Sequence, residues 1–185
     1  MQRDLVLRAK TGDHDAFTAL AAGAVDRLHR IARLILRDSD RAADAVQDAF
    51  LSAWLDIRAV RDPERFDAWL NRLLIRACYR VAGRERRHEV VEIDLDTMDV
   101  PSRDDIPGAF AVRDQLERGF RRLTPEQRAV LVLHHYLGLS DGEAAMALEI
   151  PLGTFKSRLS RAILALRGAL EAEERGASLV RASVA

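Results

Sequence analysis

Between His88 and Gly108 the sequence HEVVEIDLDTMDVPSRDDIPG loses the helical period that governs nearly everything on either side of it. The stretch holds two prolines and seven acids against a single basic residue, Arg103. A run of about 20 residues without periodicity does not belong inside a compact domain, and this composition marks a flexible linker. It divides the chain into a first body at 1–87, an acidic linker at 88–108, a second body at 109–172 and a tail at 173–185 that is expected to fray. The two bodies are expected to be separate small domains.

Charge follows the same division. Residues 1–87 carry 17 basic and 13 acidic side chains, residues 88–108 one and seven, residues 109–170 nine and six, and residues 171–185 two and three. The whole-chain net charge of zero therefore hides two basic bodies joined by an acidic connector, a distribution that suits nucleic-acid partners. With 48% apolar residues there is enough material for two small cores.

The apolar period is helical throughout. It predicts helices over about 4–11, 14–36, 40–57, 64–86, 109–122, 125–137, 141–148 and 152–172, with strand-like alternation nowhere. Ser39 is expected to cap the third helix, whose apolar stripe reads Ala43, Val46, Phe50, Trp54 and Ile57. The fourth follows Asp62-Pro63 and shows Phe66, Trp69, Leu70, Leu73, Ala77 and Val81 on one side. Thr124-Pro125-Glu126-Gln127 is a capping box with proline in the first helical turn, and Gly138 supplies a stop. The fold class is all-α: two small helical domains joined by a flexible acidic linker.

Residues 140–167, SDGEAAMALEIPLGTFKSRLSRAILALR, say most about the chemistry. Ser140 and Glu143 form a second capping box, and Ala144, Ala145 and Leu148 give the short helix after it one apolar side. Glu149-Ile150-Pro151 breaks the pattern. A second helix then puts Leu152, Phe155, Leu159, Ala162 and Leu166 on one face and Thr154, Ser157, Arg158 and Arg161 on the other, flanked by Lys156 and Ser160. A short helix, a tight turn and a basic second helix form a helix-turn-helix, the shape that enters the DNA major groove.

The first body has its own nucleic-acid signature. Phe66, Trp69 and Tyr79 are interleaved with arginines at 72, 76, 80, 84, 86 and 87, a mixture that suits single strands, where bases stack on rings and arginines hold phosphates. Phe66 and Trp69 also fit the core stripe, so the loop at 58–65 is the better place for a base-reading pocket.

Other classes fare worse. Cys78 is the only cysteine, which excludes an internal disulfide and a cysteine-based zinc cluster, and its helical apolar setting reads as core filler. No apolar run approaches the roughly 20 residues needed to span a bilayer, and the first 15 residues lack the apolar stretch of a signal peptide, so a cytoplasmic protein without membrane insertion is expected. The five histidines show no catalytic or metal spacing, and the adjacent pair His134 and His135 should point in different directions. No catalytic residue, cofactor or small-molecule substrate is expected.

Four segments in order resemble one family. Asp44-Ala45-Val46-Gln47-Asp48-Ala49-Phe50-Leu51-Ser52-Ala53-Trp54, Phe66-Asp67-Ala68-Trp69-Leu70, Leu123-Thr124-Pro125-Glu126-Gln127-Arg128 and Gly153-Thr154-Phe155-Lys156-Ser157-Arg158-Leu159-Ser160-Arg161-Ala162 are similar to segments of bacterial RNA polymerase sigma factors, specifically the two-domain extracytoplasmic-function (ECF) group of the sigma-70 family. The resemblance covers roughly residues 5–170.

It implies a sigma region 2 in the first body and a sigma region 4 in the second. Core-polymerase docking falls on Asp44, Gln47, Asp48 and Leu51, which lie three or four apart on one helix side. Recognition and melting of the −10 promoter element, with a non-template base flipped into the loop at about 57–65, falls on Arg58, Arg61, Arg65, Arg72, Arg76 and Arg80. Reading of the −35 element falls on Lys156, Ser157, Ser160 and Arg161, with Thr154 and Arg158 nearer the backbone. The implied partners are core RNA polymerase, double-stranded promoter DNA, the melted non-template strand and an anti-sigma factor. The sequence departs from the family pattern at Ile75-Arg76, where many relatives carry R-N, and at Arg80, where an aspartate is common. A stand-alone helix-turn-helix regulator is the competing reading, and it leaves the segment at 44–54 without a use.

Overall fold

A computed structural model describes the backbone of residues 1–88 and 116–184, and side chains within 1–84 and 116–172. Apart from His88, the expected acidic linker lies outside the described residues, as do positions 109–115 of the expected fifth helix. Among the described residues every regular element is a helix, as the period predicts.

The first domain consists of α1 (Gln2–Lys10), α2 (His14–Leu36), α3 (Ser39–Asp56) and α4 (Phe66–His88). Gly12, at φ +96°, makes the corner between α1 and α2 in a backbone region that L side chains rarely adopt. Asp13 finishes that corner, because its carboxylate accepts the Ala16 amide at 3.0 Å and the Arg8 guanidinium at 2.9 Å. The cap of α3 is Asp38 and not Ser39. Asp38 has the extended backbone a cap requires and accepts the Arg41 amide at 2.8 Å, while Ser39 is already helical.

The face of α3 turned to the core also differs from the sequence stripe. Ala42, Ala45, Val46, Ala49 and Ala53 are buried, whereas Ala43 is exposed and Phe50 and Trp54 are half-buried at the rim. Small side chains let α3 pack closely against α2 and α4. The bulky residues then find neighbours at the edge, where Trp54 stacks on His14 at 4.3 Å and meets Phe17 edge-on at 5.1 Å. In α4 the buried band is wide: Phe66, Leu70, Leu73, Leu74, Ile75, Ala77, Cys78, Val81 and Ala82. Arg27 of α2 donates to the buried Asn71 carbonyl oxygen at 2.5 Å and to Asp67 at 2.8 Å, which fixes α4 along α2.

Cys78 is core filler as expected. Burial pushes its thiol up to about 12, so almost no thiolate exists near neutral pH. The folded protein is therefore expected to leave a thiol reagent such as Ellman's unreacted at pH 8, and the denatured chain to consume one equivalent. Rapid labelling of the native protein would contradict this packing.

In the second domain residues 116–121 are helical and are followed by α5 (Pro125–Leu131), a π-helical turn (Val132–Tyr136), α6 (Asp141–Leu148) and α7 (Leu152–Val184). Both predicted capping boxes are present, Thr124 with Gln127 and Ser140 with Glu143. Gly138, at φ +64°, ends the helical run. The predicted single helix over 125–137 instead widens, with the Leu137 amide donating to the Val132 carbonyl at 2.9 Å. The wider turn brings successive side chains closer in direction, so the His134 and His135 rings stack at 4.6 Å instead of diverging. The expected frayed tail is, up to Val184, a continuation of α7.

The domains pack on each other. α6 lies against α4, and α5 lies against α2 and α4, so the apolar residues of both join one cluster. Arg76 of α4 forms an ion pair with Glu149 in the helix-turn-helix turn.

Candidate nucleic-acid interface

The residues proposed from sequence fall on three surfaces. On α3, Asp44, Gln47 and Leu51 are exposed and Asp48 is half-buried, all on the side away from the alanine face. Leu51 is 59% exposed and Leu55, one turn further, 70%. Gln47, Asp48 and Leu51 border an open groove of about 560 Å³ whose other walls include Phe17, Val25, Phe50 and Trp54. Asp44 lies outside the groove's lining. The groove runs between α2 and α3 and joins an apolar floor to a polar rim, a form that suits a helical protein partner.

The second surface begins where α3 ends. Two single-turn 3-10 helices, Ile57–Ala59 and Pro63–Arg65, carry the chain from α3 to α4. Ile57 and Val60 are buried and hold the loop down, and Asp62 caps the second turn by accepting the Glu64 amide at 3.0 Å. Arg61, Arg65 and Arg72 come together around a cavity of about 660 Å³ that also takes in the half-buried Trp69. Arg58 is exposed but does not line it. Arg76 and Arg80 continue the line of Arg72 along α4, each already paired: Arg76 with Glu149, and Arg80 with Asp48 at 3.7 Å.

The far wall of that cavity belongs to the other domain, through Leu139, Glu143, Met146 and Ala147. Ser140 holds the Glu143 carboxyl below the usual carboxylate range, chiefly through its hydroxyl at 2.7 Å and also through its amide at 3.0 Å, and Arg65 adds a smaller pull in the same direction.

The third surface is the second helix of the helix-turn-helix. The turn closes with Glu149 in the left-handed region at φ +55° and the Ile150 amide donating to the Ala145 carbonyl at 3.1 Å. Pro151 then starts the next helix by accepting the Phe155 amide at 3.0 Å. Phe155, Leu159 and Ala162 are buried, which turns the opposite side outward. Lys156, Ser157, Ser160 and Arg161 are exposed there, with Thr154 and Arg158 half-buried at its borders. Leu152, expected on the apolar face, is 45% exposed at the first turn. Arg161 is drawn over Ser157, donating to its carbonyl at 3.1 Å, and lines a cavity of about 330 Å³ with Glu126, Gln127 and Arg158.

Sequence reasoning missed Lys10, whose ammonium donates to the Val60 carbonyl at 2.7 Å, and the roles of Arg27 and Glu149. Each depends on a contact between distant parts of the chain that no local pattern announces. Among the described residues no cluster of His, Cys, Asp and Glu could hold a metal ion, and no helix is long and apolar enough to cross a membrane.

A basic helix-turn-helix packed beside a four-helix domain with an arginine-walled loop defines the class of a two-domain promoter-binding protein. Family comparison agrees, since the model of Sigma-70 region 2 matches residues 22–88 and that of Sigma-70 region 4 matches residues 113–166. The ECF RNA polymerase sigma factor SigM of Mycobacterium tuberculosis is 35% identical over 160 residues, 86% of this chain and 79% of that protein. Two solved structures are similar throughout. CnrH in complex with the cytosolic domain of CnrY has a TM-score of 0.61 at 28% identity, over 92% of this chain and 97% of that one. The sigma factor RpoE of Bartonella quintana, in complex with the anti-sigma factor NepR, has a TM-score of 0.65 at 25% identity, over 84% and 96%. The chain belongs to the ECF group of the sigma-70 family of RNA polymerase sigma factors.

Proposed function

We propose that this sigma factor binds core RNA polymerase through the outer face of α3 at Asp44, Gln47, Asp48 and Leu51. It directs initiation by gripping a promoter twice. The loop at 57–65 and the arginines at 58, 61, 65, 72, 76 and 80 engage the −10 element and its melted non-template strand. The outward face of α7, from Thr154 to Arg161, reads the −35 element in the major groove. The chain contributes recognition and strand separation in the cytoplasm, and the polymerase supplies the chemistry. The domain limits follow the same reading: 1–87 for docking and the −10 element, 88–108 as connector and 109–172 for the −35 element.

One observation favours this reading over a self-sufficient regulator. Leu51 and Leu55 stand 59% and 70% exposed beside Asp44 and Gln47, an apolar and acidic helix face for which a stand-alone DNA reader has no use. Footprinting separates the two. Holoenzyme should protect both promoter elements, while the free chain should protect neither. Protection of a palindrome by the free chain as a symmetric dimer would instead establish the regulator.

At the −35 element, Lys156→Ala or Arg161→Ala is expected to lose about 1–3 kcal/mol of promoter binding, the usual size of such contacts. The loss should appear as a weakened −35 footprint, and unchanged protection in both variants would remove these residues from the reading.

The packed arrangement of the two domains fits a resting form. The −35 and −10 elements are about 25 base pairs apart, roughly 85 Å of duplex at about 3.4 Å per pair. Lys156 lies within about 25 Å of Glu149, the most that seven residues can span. With Arg76 holding Glu149, the two readers cannot reach their own elements together, so α6 has to leave α4 on engagement. The complex of RpoE with the anti-sigma factor NepR supports an anti-sigma factor as a further partner. Purification from its own cells should recover a stoichiometric heterodimer.

A further inference from the structure

We propose that α1 is a fixed buttress for the base-reading loop and that Lys10 is its positioning residue, holding the Val60 carbonyl so that the pocket is formed before DNA arrives. The inference rests on the assignment of that loop to the −10 element. It goes beyond that assignment by giving a function to a helix that lies outside the family match, which begins at residue 22.

The contact spans 50 residues of sequence. The Lys10 ammonium donates to the Val60 carbonyl at 2.7 Å in a partly buried setting. Val60 is the hinge of the loop: its amide closes the first 3-10 turn on the Ile57 carbonyl at 3.2 Å, and its own backbone is extended (φ −65°, ψ 106°). Its carbonyl therefore leaves the helical ladder at the point where the chain turns toward Arg61 and Arg65. The Val60 side chain is 2% exposed, so carbonyl and side chain are both anchored.

The support is itself rigid. Val6 and Ala9 bury α1 against the rest of the domain, and the Gly12 corner with the Arg8–Asp13 pair fixes its exit. α1 packs against both 3-10 turns. The second contact between them, Arg3 with Glu64 at 3.9 Å, joins two side chains that are both largely exposed and adds little. Lys10 is thus the one strong polar tie described between α1 and the loop.

The residue type fits the task. Only two of the 29 basic residues are lysine, and the other, Lys156, lies on α7. A compact ammonium with rotatable donors suits one carbonyl in a crevice, whereas a planar guanidinium fork is shaped for carboxylates and phosphates. Extracting a base from the stack is costly, so a loop that had to be ordered at the same moment would discriminate poorly.

Holoenzymes carrying Lys10→Met, Lys10→Arg and Arg3→Ala test this on promoters that differ only at the −10 positions, with permanganate reactivity of the −10 region and transcript yield as readouts. Lys10→Met should lower the ratio between preferred and disfavoured −10 bases about tenfold, the factor carried by one charge-assisted hydrogen bond. Its core-polymerase affinity and −35 footprint should match the wild type, with Tm lowered by only a few degrees. Lys10→Arg, which keeps the charge but not the compact donor, should recover the ratio only in part, and Arg3→Ala should leave it unchanged. An unaltered ratio in Lys10→Met would overturn the proposal, as would equal weakening on every promoter with a lowered Tm, the mark of a purely structural residue. A wild-type holoenzyme that initiates but distinguishes no −10 base would overturn the loop assignment, and this inference with it.

Discussion

Phe155→Ala is expected to destabilise the protein by about 3–5 kcal/mol, the usual cost of truncating a buried aromatic ring. Phe155 is fully buried and is the largest core side chain that α7 contributes. The fully buried residues of α6, Ala144, Ala145 and Ala147, are too short to collapse into the space the ring would leave. The loss is a large part of the roughly 5–15 kcal/mol that holds a natural domain together. It falls on the side of α7 opposite Lys156 and Arg161, so the proposed DNA face should lose its support although none of its own residues has been touched. Urea unfolding followed by circular dichroism measures the first effect and a −35 footprint the second. A loss under about 1 kcal/mol would mean that the helix-turn-helix core is not organised around this ring.

Leu51→Asp is expected to leave folding almost unchanged and to cost the protein its polymerase. An exposed position tolerates substitution within about 0.5 kcal/mol. In an interface, an apolar anchor replaced by a charge costs about 2 kcal/mol or more, roughly thirtyfold in affinity. Leu51 projects from α3 beside the groove lined by Phe50 and Trp54, so a partner helix seated there would meet the new carboxylate directly. Association with sigma-free core polymerase measures it, with Tm as the control. Wild-type affinity in this variant would move docking off α3.

Much of this architecture was legible because it is built from local devices. A capping box needs only four consecutive residues, and both predicted ones formed at Thr124–Gln127 and Ser140–Glu143. The two helices of the helix-turn-helix begin and end within a residue of where capping, glycine and proline place them, apart from the extension of α7 to Val184. The failures have a common origin in partners that sequence does not display. The core face of α3 is its alanines because α2 and α4 approach closely, and nothing within residues 39–56 announces that approach. The π turn after Leu131 is marked by no capping, glycine or proline signal within residues 131–136. Lys10 meets Val60 over 50 positions and Arg76 meets Glu149 over 73, so both contacts are products of the tertiary fold. The arginines themselves could be named from sequence, but not the fact that Arg76 and Arg80 pair with Glu149 and Asp48 or that Arg61, Arg65 and Arg72 share a cavity.

The central claim is that this chain gives core RNA polymerase its choice of promoter. Run-off transcription with sigma-free core polymerase and fragmented genomic templates tests it most directly. Addition of the protein should produce discrete new transcripts whose start sites share one −35 and one −10 sequence, and Leu51→Asp and Phe155→Ala should each sharply reduce them. The absence of any transcript above core polymerase alone, on any template, would contradict the account.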